Sequence, residues 1–133
     1  MSASPAFAST PRTGLAAITA ANTARDGSGT LVDLLTGVTA GTRVDRVVFK
    51  STGQPANSVI LVWYFDGTTN WLYDEIVISG TPAAGSTTAA AYRIERKYED
   101  LVLAGSTHKL RVTATVVPTS GQINAEAFGG DLT

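Results

Sequence analysis

Short apolar stretches recur along this chain about every ten residues, and each is bounded by glycine, proline or asparagine. The strongest is Ser58–Phe65 (SVILVWYF), which is rich in β-branched and aromatic side chains. A turn sequence, Asp66-Gly-Thr-Thr-Asn, follows it, and Trp71–Ser79 then has the pattern of the returning strand of a hairpin. No stretch has the extended 3.6-residue period of a long helix. The pattern therefore predicts an all-β domain.

The remaining apolar stretches predict the other strands of this domain. They are Leu15–Ala21, Thr30–Thr36, Arg43–Ser51, Ser86–Tyr98, Leu101–Leu103, His108–Val117 and Gln122–Phe128. Val44 and Val47 are one residue out of phase, which indicates a β-bulge or a strand buried on both faces. Gly129-Gly130-Asp131 is interpreted as a flexible terminus. About eight antiparallel strands at this spacing predict a β-sandwich or jelly roll, which we assign to residues 14–133.

Residues 1–13 are small and polar and predict an extended N-terminal arm. Such an arm is interpreted either as a disordered terminus or as a segment that lies on a neighbouring subunit. Its first cation is Arg12, and no apolar run precedes it, so we expect no secretion signal. No run approaches the ~18 apolar residues of a membrane span, so we expect no membrane partner.

Composition narrows the classes of partner and of chemistry. The chain has 133 residues with 10 basic and 11 acidic side chains, a net charge of −1, so nothing in it attracts nucleic acid over long range. Cysteine is absent, which excludes disulfides, thiolate metal sites and thiol catalysis. Charged residues are only 16% of the chain, below the usual fraction of about a quarter. A surface made polar by threonine, serine, asparagine and glycine suits lasting contact with other protein.

The residues that could support catalysis are few and poorly spaced. His108 is the only histidine, and no sequence pattern pairs it with a nucleophile and an orienting carboxylate. Asp74 and Glu75 are adjacent on a strand, so their side chains point to opposite faces and do not form a glycosidase pair. Asp26-Gly-Ser-Gly lacks the ending of a phosphate loop and the acid spacing of a calcium loop. We therefore expect no enzymatic activity, no cofactor and no bound metal.

Aromatic side chains concentrate around the hairpin. They are Trp63, Tyr64, Trp71 and Tyr73. Core packing and cross-strand pairing are the favoured interpretation. The alternative is an exposed platform that stacks on sugars, as in carbohydrate-binding modules, and it predicts that Trp71 and Tyr73 lie exposed in a shallow groove. The sequence leaves the hairpin register open, because the loop length decides which ring points inward.

Both faces of the Ser58–Phe65 strand are apolar. One face has Val59, Leu61, Trp63 and Phe65, and the other has Ile60, Val62 and Tyr64. A two-sheet sandwich buries only one face of each sheet, so the second face is covered either by the chain itself or by another subunit. We assign the face of Ile60, Val62 and Tyr64 to the outside, as the candidate contact between subunits.

Four segments of the chain, taken in their order and spacing, carry a resemblance to a known group of proteins. They are residues 13–31 (TGLAAITAANTARDGSGTL), 41–47 (GTRVDRV), 66–75 (DGTTNWLYDE) and 124–132 (NAEAFGGDL). Together they resemble small structural proteins of tailed bacteriophages, although no single segment is diagnostic. The resemblance extends from about Thr13 to Leu132.

What the resemblance implies is a virion protein without enzymatic activity. The first expectation is a decoration, or cement, protein that binds the outside of the head and bridges subunits of the major capsid protein. Such proteins resemble β-sandwiches or jelly rolls and often form trimers, so the implied partners are the major capsid protein and the chain itself, as a homotrimer. The implied location is the capsid surface, after synthesis in the host cytoplasm. A tail, neck or fibre-associated virion protein is the alternative.

On this interpretation the N-terminal arm and the turn at residues 25–29 are the candidate capsid-binding region. The candidate residues are Pro5, Phe7, Pro11, Arg12, Arg25 and Asp26. The resemblance implies no catalytic residues.

Overall fold

A computed structural model of the chain describes residues 10–80 and 90–132, and within them it contains nine β-strands and no helix. The strands are β1 (Thr10–Ile18), β2 (Val32–Thr36), β3 (Thr42–Ser51), β4 (Ser58–Phe65), β5 (Asn70–Ile78), β6 (Arg93–Lys97), β7 (Val102–Leu103), β8 (Lys109–Ala114) and β9 (Ile123–Asp131). The prediction of an all-β domain is confirmed. No described segment forms a helix of the length and hydropathy that a bilayer requires.

The strands form two antiparallel sheets. The five-stranded sheet has the order β1-β9-β3-β6, and β7 pairs with β3 beside that path. The four-stranded sheet has the order β2-β8-β4-β5. The two sheets enclose one hydrophobic core between them, so the fold is the β-sandwich that the strand spacing predicts. The finer expectation of a jelly roll stays a prediction.

Alternation along the strands decides which side chains enter the core. In β8, Leu110 and Val112 point inward, as their spacing predicts. In β4, Ile60 and Val62 are fully buried in the same core, and Tyr64 packs against it. This corrects the assignment of Ile60, Val62 and Tyr64 to the outside. That face is directed toward the other sheet, so Ile60 and Val62 have no surface left for a subunit contact.

The other face of β4 is covered by the chain itself. Residues 19–31 form the β1–β2 loop, which is tied to β8 where the Asn22 amide donates to the Ala114 carbonyl at 2.9 Å. The same loop reaches β5, where Arg25 forms an ion pair with Glu75. The loop is therefore bonded to the strands on both sides of β4. The fully buried side chains on this face are Leu61 and Trp63.

Register shifts occur in three strand pairs of the described residues, β2–β8, β3–β9 and β4–β5, and the last two bear on the sequence predictions. The register of β3 against β9 shifts between Val44 and Arg46, which confirms the bulge that the phase of Val44 and Val47 indicates. Both valines are fully buried as a result. A second shift, in the β4–β5 pair, leaves Tyr73 without a cross-strand partner. This bulge turns the Tyr73 ring out of the alternation of the strand.

The N-terminal boundary differs from the predicted one. Thr10–Thr13 belong to β1 and pair with β9, while Pro5, Phe7 and the rest of residues 1–9 lie outside the described residues. The Arg12 guanidinium donates to Asp131 Oδ1 at 2.8 Å and to a main-chain carbonyl of β2 at 3.0 Å. These bonds fix the start of β1 to both sheets. Gly129-Gly130-Asp131 belongs to β9, which corrects its interpretation as a flexible terminus.

The strand predicted after the β4–β5 hairpin is shorter than expected in its described part. The sequence predicts Ser86–Tyr98, but the described strand is β6, Arg93–Lys97, and residues 81–89 lie outside the described part. β6 is an edge strand with mostly charged side chains. Charge on an edge discourages pairing with other chains.

Candidate functional site

Large aromatic side chains are exposed on β5, the edge strand of the four-stranded sheet. Trp71 is 58% exposed and Tyr73 is 45% exposed, whereas Trp63 on the neighbouring strand is only 2% exposed. Leu72, which stands between them in the sequence, is also exposed. We call Trp71, Leu72 and Tyr73 the aromatic edge. Core packing is therefore correct for Trp63 and wrong for Trp71 and Tyr73.

The Trp71 ring is held by the β4–β5 turn. Its indole Nε1 donates to Asp66 Oδ2 at 2.9 Å. Asp66 Oδ1 in turn accepts the main-chain amides of Thr68 at 2.9 Å and Thr69 at 2.7 Å. Gly67 adopts a φ of 96°, a left-handed conformation that glycine permits. The carboxylate thus joins the turn to the ring, and the exposed indole is fixed rather than free to rotate.

The Tyr73 ring is held from the opposite sheet. It packs edge-to-face against Tyr98, with centroids 5.2 Å apart and planes at 83°. The Tyr98 hydroxyl donates to Asp74 Oδ2 at 2.9 Å, and Arg96 Nε pairs with the same oxygen at 3.0 Å. Burial and then the hydrogen bond to Asp74 raise the pKa of Tyr98, so its hydroxyl stays protonated and donates. Tyr73 therefore packs against a ring that is itself held by the Asp74 carboxylate.

The main chain of the edge is closed to strand addition at its centre. The Glu75 amide donates to Asp74 Oδ1 at 2.8 Å, and the Glu75 carbonyl accepts from Arg96 Nη2 at 3.3 Å. In an edge strand these groups would otherwise be available to pair with another strand. At Glu75, therefore, the edge offers a partner side chains rather than unpaired peptide groups.

Acidic groups surround the aromatic edge. Burial and then the charges of Asp74 and Asp100 raise the pKa of Tyr73. Asp66 adds a third carboxylate beside Trp71. Asp74 is ion-paired with Arg96. Within residues 10–80 and 90–132, Asp66 and Asp100 have no lysine or arginine at ion-pair distance.

The titration of Asp66 provides a test of this geometry. The pKa of Asp66 is lowered from 3.8 to about 2, first by the Thr69 amide, then by the Trp71 indole and the Thr68 amide. Because the folded-state pKa lies below the unfolded value, the contribution of the carboxylate to stability is complete above pH 3.8 and is lost as the pH falls through about 2. In an NMR titration, we expect the Asp66 carboxyl carbon and the Trp71 indole proton to shift together with a midpoint near 2. A midpoint at 3.8, or an indole signal that does not follow, would contradict the hydrogen bond.

The structure does not bring the predicted capsid-binding residues into one patch. Pro11 and Arg12 lie on β1 of the five-stranded sheet, whereas Arg25 and Asp26 lie in the loop against the other sheet. Arg12 is bonded within the fold. Asp26 accepts the amide and the hydroxyl of Ser28 within its own turn, at 3.0 Å and 2.6 Å. Arg12, Arg25 and Asp26 therefore have bonds that serve the fold, and Pro11 is exposed.

His108 lies in a hydrogen-bonded group around Tyr64. Its Nδ1 is 2.5 Å from the Tyr64 hydroxyl, and the two rings meet edge-to-face. The same hydroxyl accepts the Ala104 amide and contacts the Val102 carbonyl at 3.2 Å. His108 thus anchors the chain that follows β7. In the described residues, no three potential metal-ligating side chains lie together.

Sequence reasoning favoured core packing over its alternative, the exposed platform, because two local features that it did not resolve place the rings of Trp71 and Tyr73. The cross-strand partner of Trp71 is Tyr64, and partners across a ladder share a face. The bulge at Tyr73 then brings that ring to the side of Tyr98. The available signal was Asp66 followed by Gly67, a turn pair that fixes where β5 begins.

The chain matches no protein-family model, and no curated protein is significantly similar to it in sequence.

Proposed function

We propose that this chain is a structural protein of a bacteriophage virion, a decoration protein that binds the outside of the head and bridges major capsid subunits. The observation that carries the binding role is the aromatic edge, where two large exposed rings are held in place, Trp71 by the Asp66 carboxylate and Tyr73 by the Tyr98 ring. The resemblance of the four segments to tailed-phage structural proteins supports the virion assignment. A tail or neck location is the alternative within the virion.

Rigid exposed aromatic rings support a binding function for an energetic reason. Trp and Tyr contribute most to protein interfaces, and their energetic value rises when the ring does not lose freedom on binding. Trp71 is already fixed by Asp66, and Tyr73 by Tyr98, before any partner arrives. Neither ring adds much to core packing, because both are largely outside the core. The cost of leaving them exposed is explained if they meet a partner.

The size of the aromatic edge fits one part of a larger contact. A stable interface buries roughly 800 Å² on each partner, which is more than two or three side chains provide. A decoration protein meets this requirement through many copies and through further contacts on the same lattice. Residues 1–9, with Pro5 and Phe7, are a further candidate for such a contact. We therefore place the aromatic edge at the centre of the interface and other segments at its rim.

Carbohydrate binding is the second candidate function, and one observation favours it. Trp71 and Tyr73 are both exposed, as a sugar-stacking platform requires. Sugar hydroxyls also need hydrogen-bond acceptors, but both Asp66 oxygens and both Asp74 oxygens already accept bonds within the chain. This arrangement leaves the platform with few directed acceptors for a sugar.

The decisive measurement is the number and position of copies in the virion encoded by the same genome. We expect an electron cryomicroscopy reconstruction to show density for this β-sandwich at repeated positions on the outer surface of the head. Purified chain should also co-sediment with assembled heads that lack it. Density at one vertex or along the tail would favour the alternative, and absence from the particle would contradict a virion role. Binding to a glycan array without binding to heads would favour the carbohydrate function.

Two matched variants separate the candidate contacts in the same sedimentation assay. Deleting residues 1–9 leaves β1 and the Arg12–Asp131 ion pair in place, whereas deletion through residue 12 removes that pair. The first deletion therefore tests the predicted arm without disturbing the sandwich. Trp71→Leu with Tyr73→Leu tests the aromatic edge on an intact arm.

A further inference from the structure

The aromatic edge combines two features that select for one kind of ligand. Trp71 and Tyr73 present exposed rings, and the faces of such rings carry negative electrostatic potential. Asp66 adds a carboxylate beside Trp71, and the charge of Asp100 acts on Tyr73, whereas Asp74 is ion-paired with Arg96. Both features favour positive charge, so the surface is complementary to a cation with an apolar stem.

The hydrogen bonds of the carboxylates strengthen this conclusion. Asp66 and Asp74 each accept three bonds within the chain, so they have little directed capacity left for a neutral ligand. All three donors to Asp66 are neutral groups, so they leave its negative charge uncompensated. Coulomb attraction acts without a direct contact, so Asp66 remains effective toward a cation beside Trp71. In the described part of the chain, Asp100 forms no ion pair that would neutralise it.

We propose that the aromatic edge binds a lysine or arginine side chain presented by the partner protein, with its cation over the Trp71 and Tyr73 rings. The proposal rests on the proposed function only in taking the partner to be a protein. At Glu75 the main chain of β5 is bonded by two side chains, Asp74 of β5 and Arg96 of β6. Recognition therefore passes through side chains, and an added strand is not required.

An arginine probe tests the site without knowledge of the partner. A short peptide with two arginines is titrated into the ¹⁵N-labelled full chain, and the matched control replaces both arginines with citrulline, which is isosteric and neutral. We expect saturable shifts of the Trp71 indole signal and of Tyr73, with affinity about fivefold higher for arginine than for citrulline. The difference should shrink at high salt, because screening weakens exposed charge interactions.

Variants then assign the effect to the rings and to the charge. Trp71→Leu with Tyr73→Leu keeps an apolar surface but removes both ring faces, and we expect it to lose the preference for arginine. Asp100→Asn removes one charge from a side chain with no ion pair in the described residues, and should weaken arginine binding about twofold. Dispersed NMR spectra of each variant show whether it is folded.

Three results would overturn the proposal. Equal binding of the arginine and citrulline peptides would exclude a cation site, as would shifts confined to other strands. Binding of a neutral oligosaccharide at these rings, with no arginine binding, would identify a sugar site instead.

The outcomes for site and function are separable. If heads bind the wild-type chain and the double leucine variant equally, the proposed decoration function is supported, but the aromatic edge is not the contact. If the probe binds the rings but heads do not bind the chain, the cation site stands and the proposed function fails.

Discussion

Replacing Trp63 with alanine is expected to lower the free energy of unfolding by about 3–5 kcal/mol, the range for large aromatic side chains removed from packed sites. The ring is 2% exposed, so the substitution leaves a cavity. Its indole Nε1 also donates to Thr113 Oγ1 at 3.0 Å. Thr113 is itself buried, and losing this donor leaves a buried hydroxyl without its partner, which adds to the cost.

Urea denaturation measures this effect, and Trp71→Ala is the matched control. Both residues are tryptophans of the same hairpin, and each indole donates one hydrogen bond to a side chain. Trp71 is 58% exposed, so its loss should cost about 1 kcal/mol or less. A near-equal loss at the two positions would show that the outer face of β4 is not packed by the chain's own loop.

The strands themselves were predictable because they depend on local pattern. β4 coincides with the predicted Ser58–Phe65, and β5 differs from its prediction by one residue at each end. The bulge in β3 was readable from the phase of Val44 and Val47. In each case the side chains within one strand contain the information, since burial alternates with a period of two.

Which face of β4 points toward the core was not predictable from the residues of that strand. When both faces of a strand are apolar, alternation defines two sets of side chains but not which set faces the core. The choice depends on residues 19–31, which are distant in sequence and cover the set containing Leu61 and Trp63. In the sequence, the segment that forms this loop can be recognised only by its turn residues. The assignment of Ile60 and Val62 to a subunit contact failed for this reason.

The exposure of the aromatic edge could not be predicted from the local sequence pattern, for a related reason. Tyr73 is the unpaired residue at the bulge of the β4–β5 ladder, and its ring packs against Tyr98, which directly follows β6 of the other sheet. Trp71 depends on the length of the turn that Asp66 closes. The position of each ring would change if the pairing of β4 with β5 shifted by one residue. Composition and periodicity do not determine that register.

Replacing Gly129 with alanine is expected to destabilise the fold by about 3 kcal/mol, at the upper end of the cost of overpacking. A Cβ at this position would lie 1.8 Å from the Arg43 carbonyl oxygen and 3.1 Å from Val44 Cα. These are main-chain atoms of β3 beside its bulge, so no side chain can rotate to make room. Glycine is needed here because two strands approach closely, as glycines within strands often indicate.

Gly105→Ala is the control that isolates the clash. At that position the added Cβ meets only His108 Cδ2, at 3.8 Å, which is ordinary contact. Both substitutions lower the entropy of the unfolded chain equally, so the difference between their unfolding free energies measures the main-chain conflict at Gly129. A difference of about 0.5 kcal/mol or less would mean that β9 moves away from β3 at little cost in free energy. The segment that positions Asp131 against Arg12 and Thr42 would then be a pliable end of the chain rather than part of the rigid sheet.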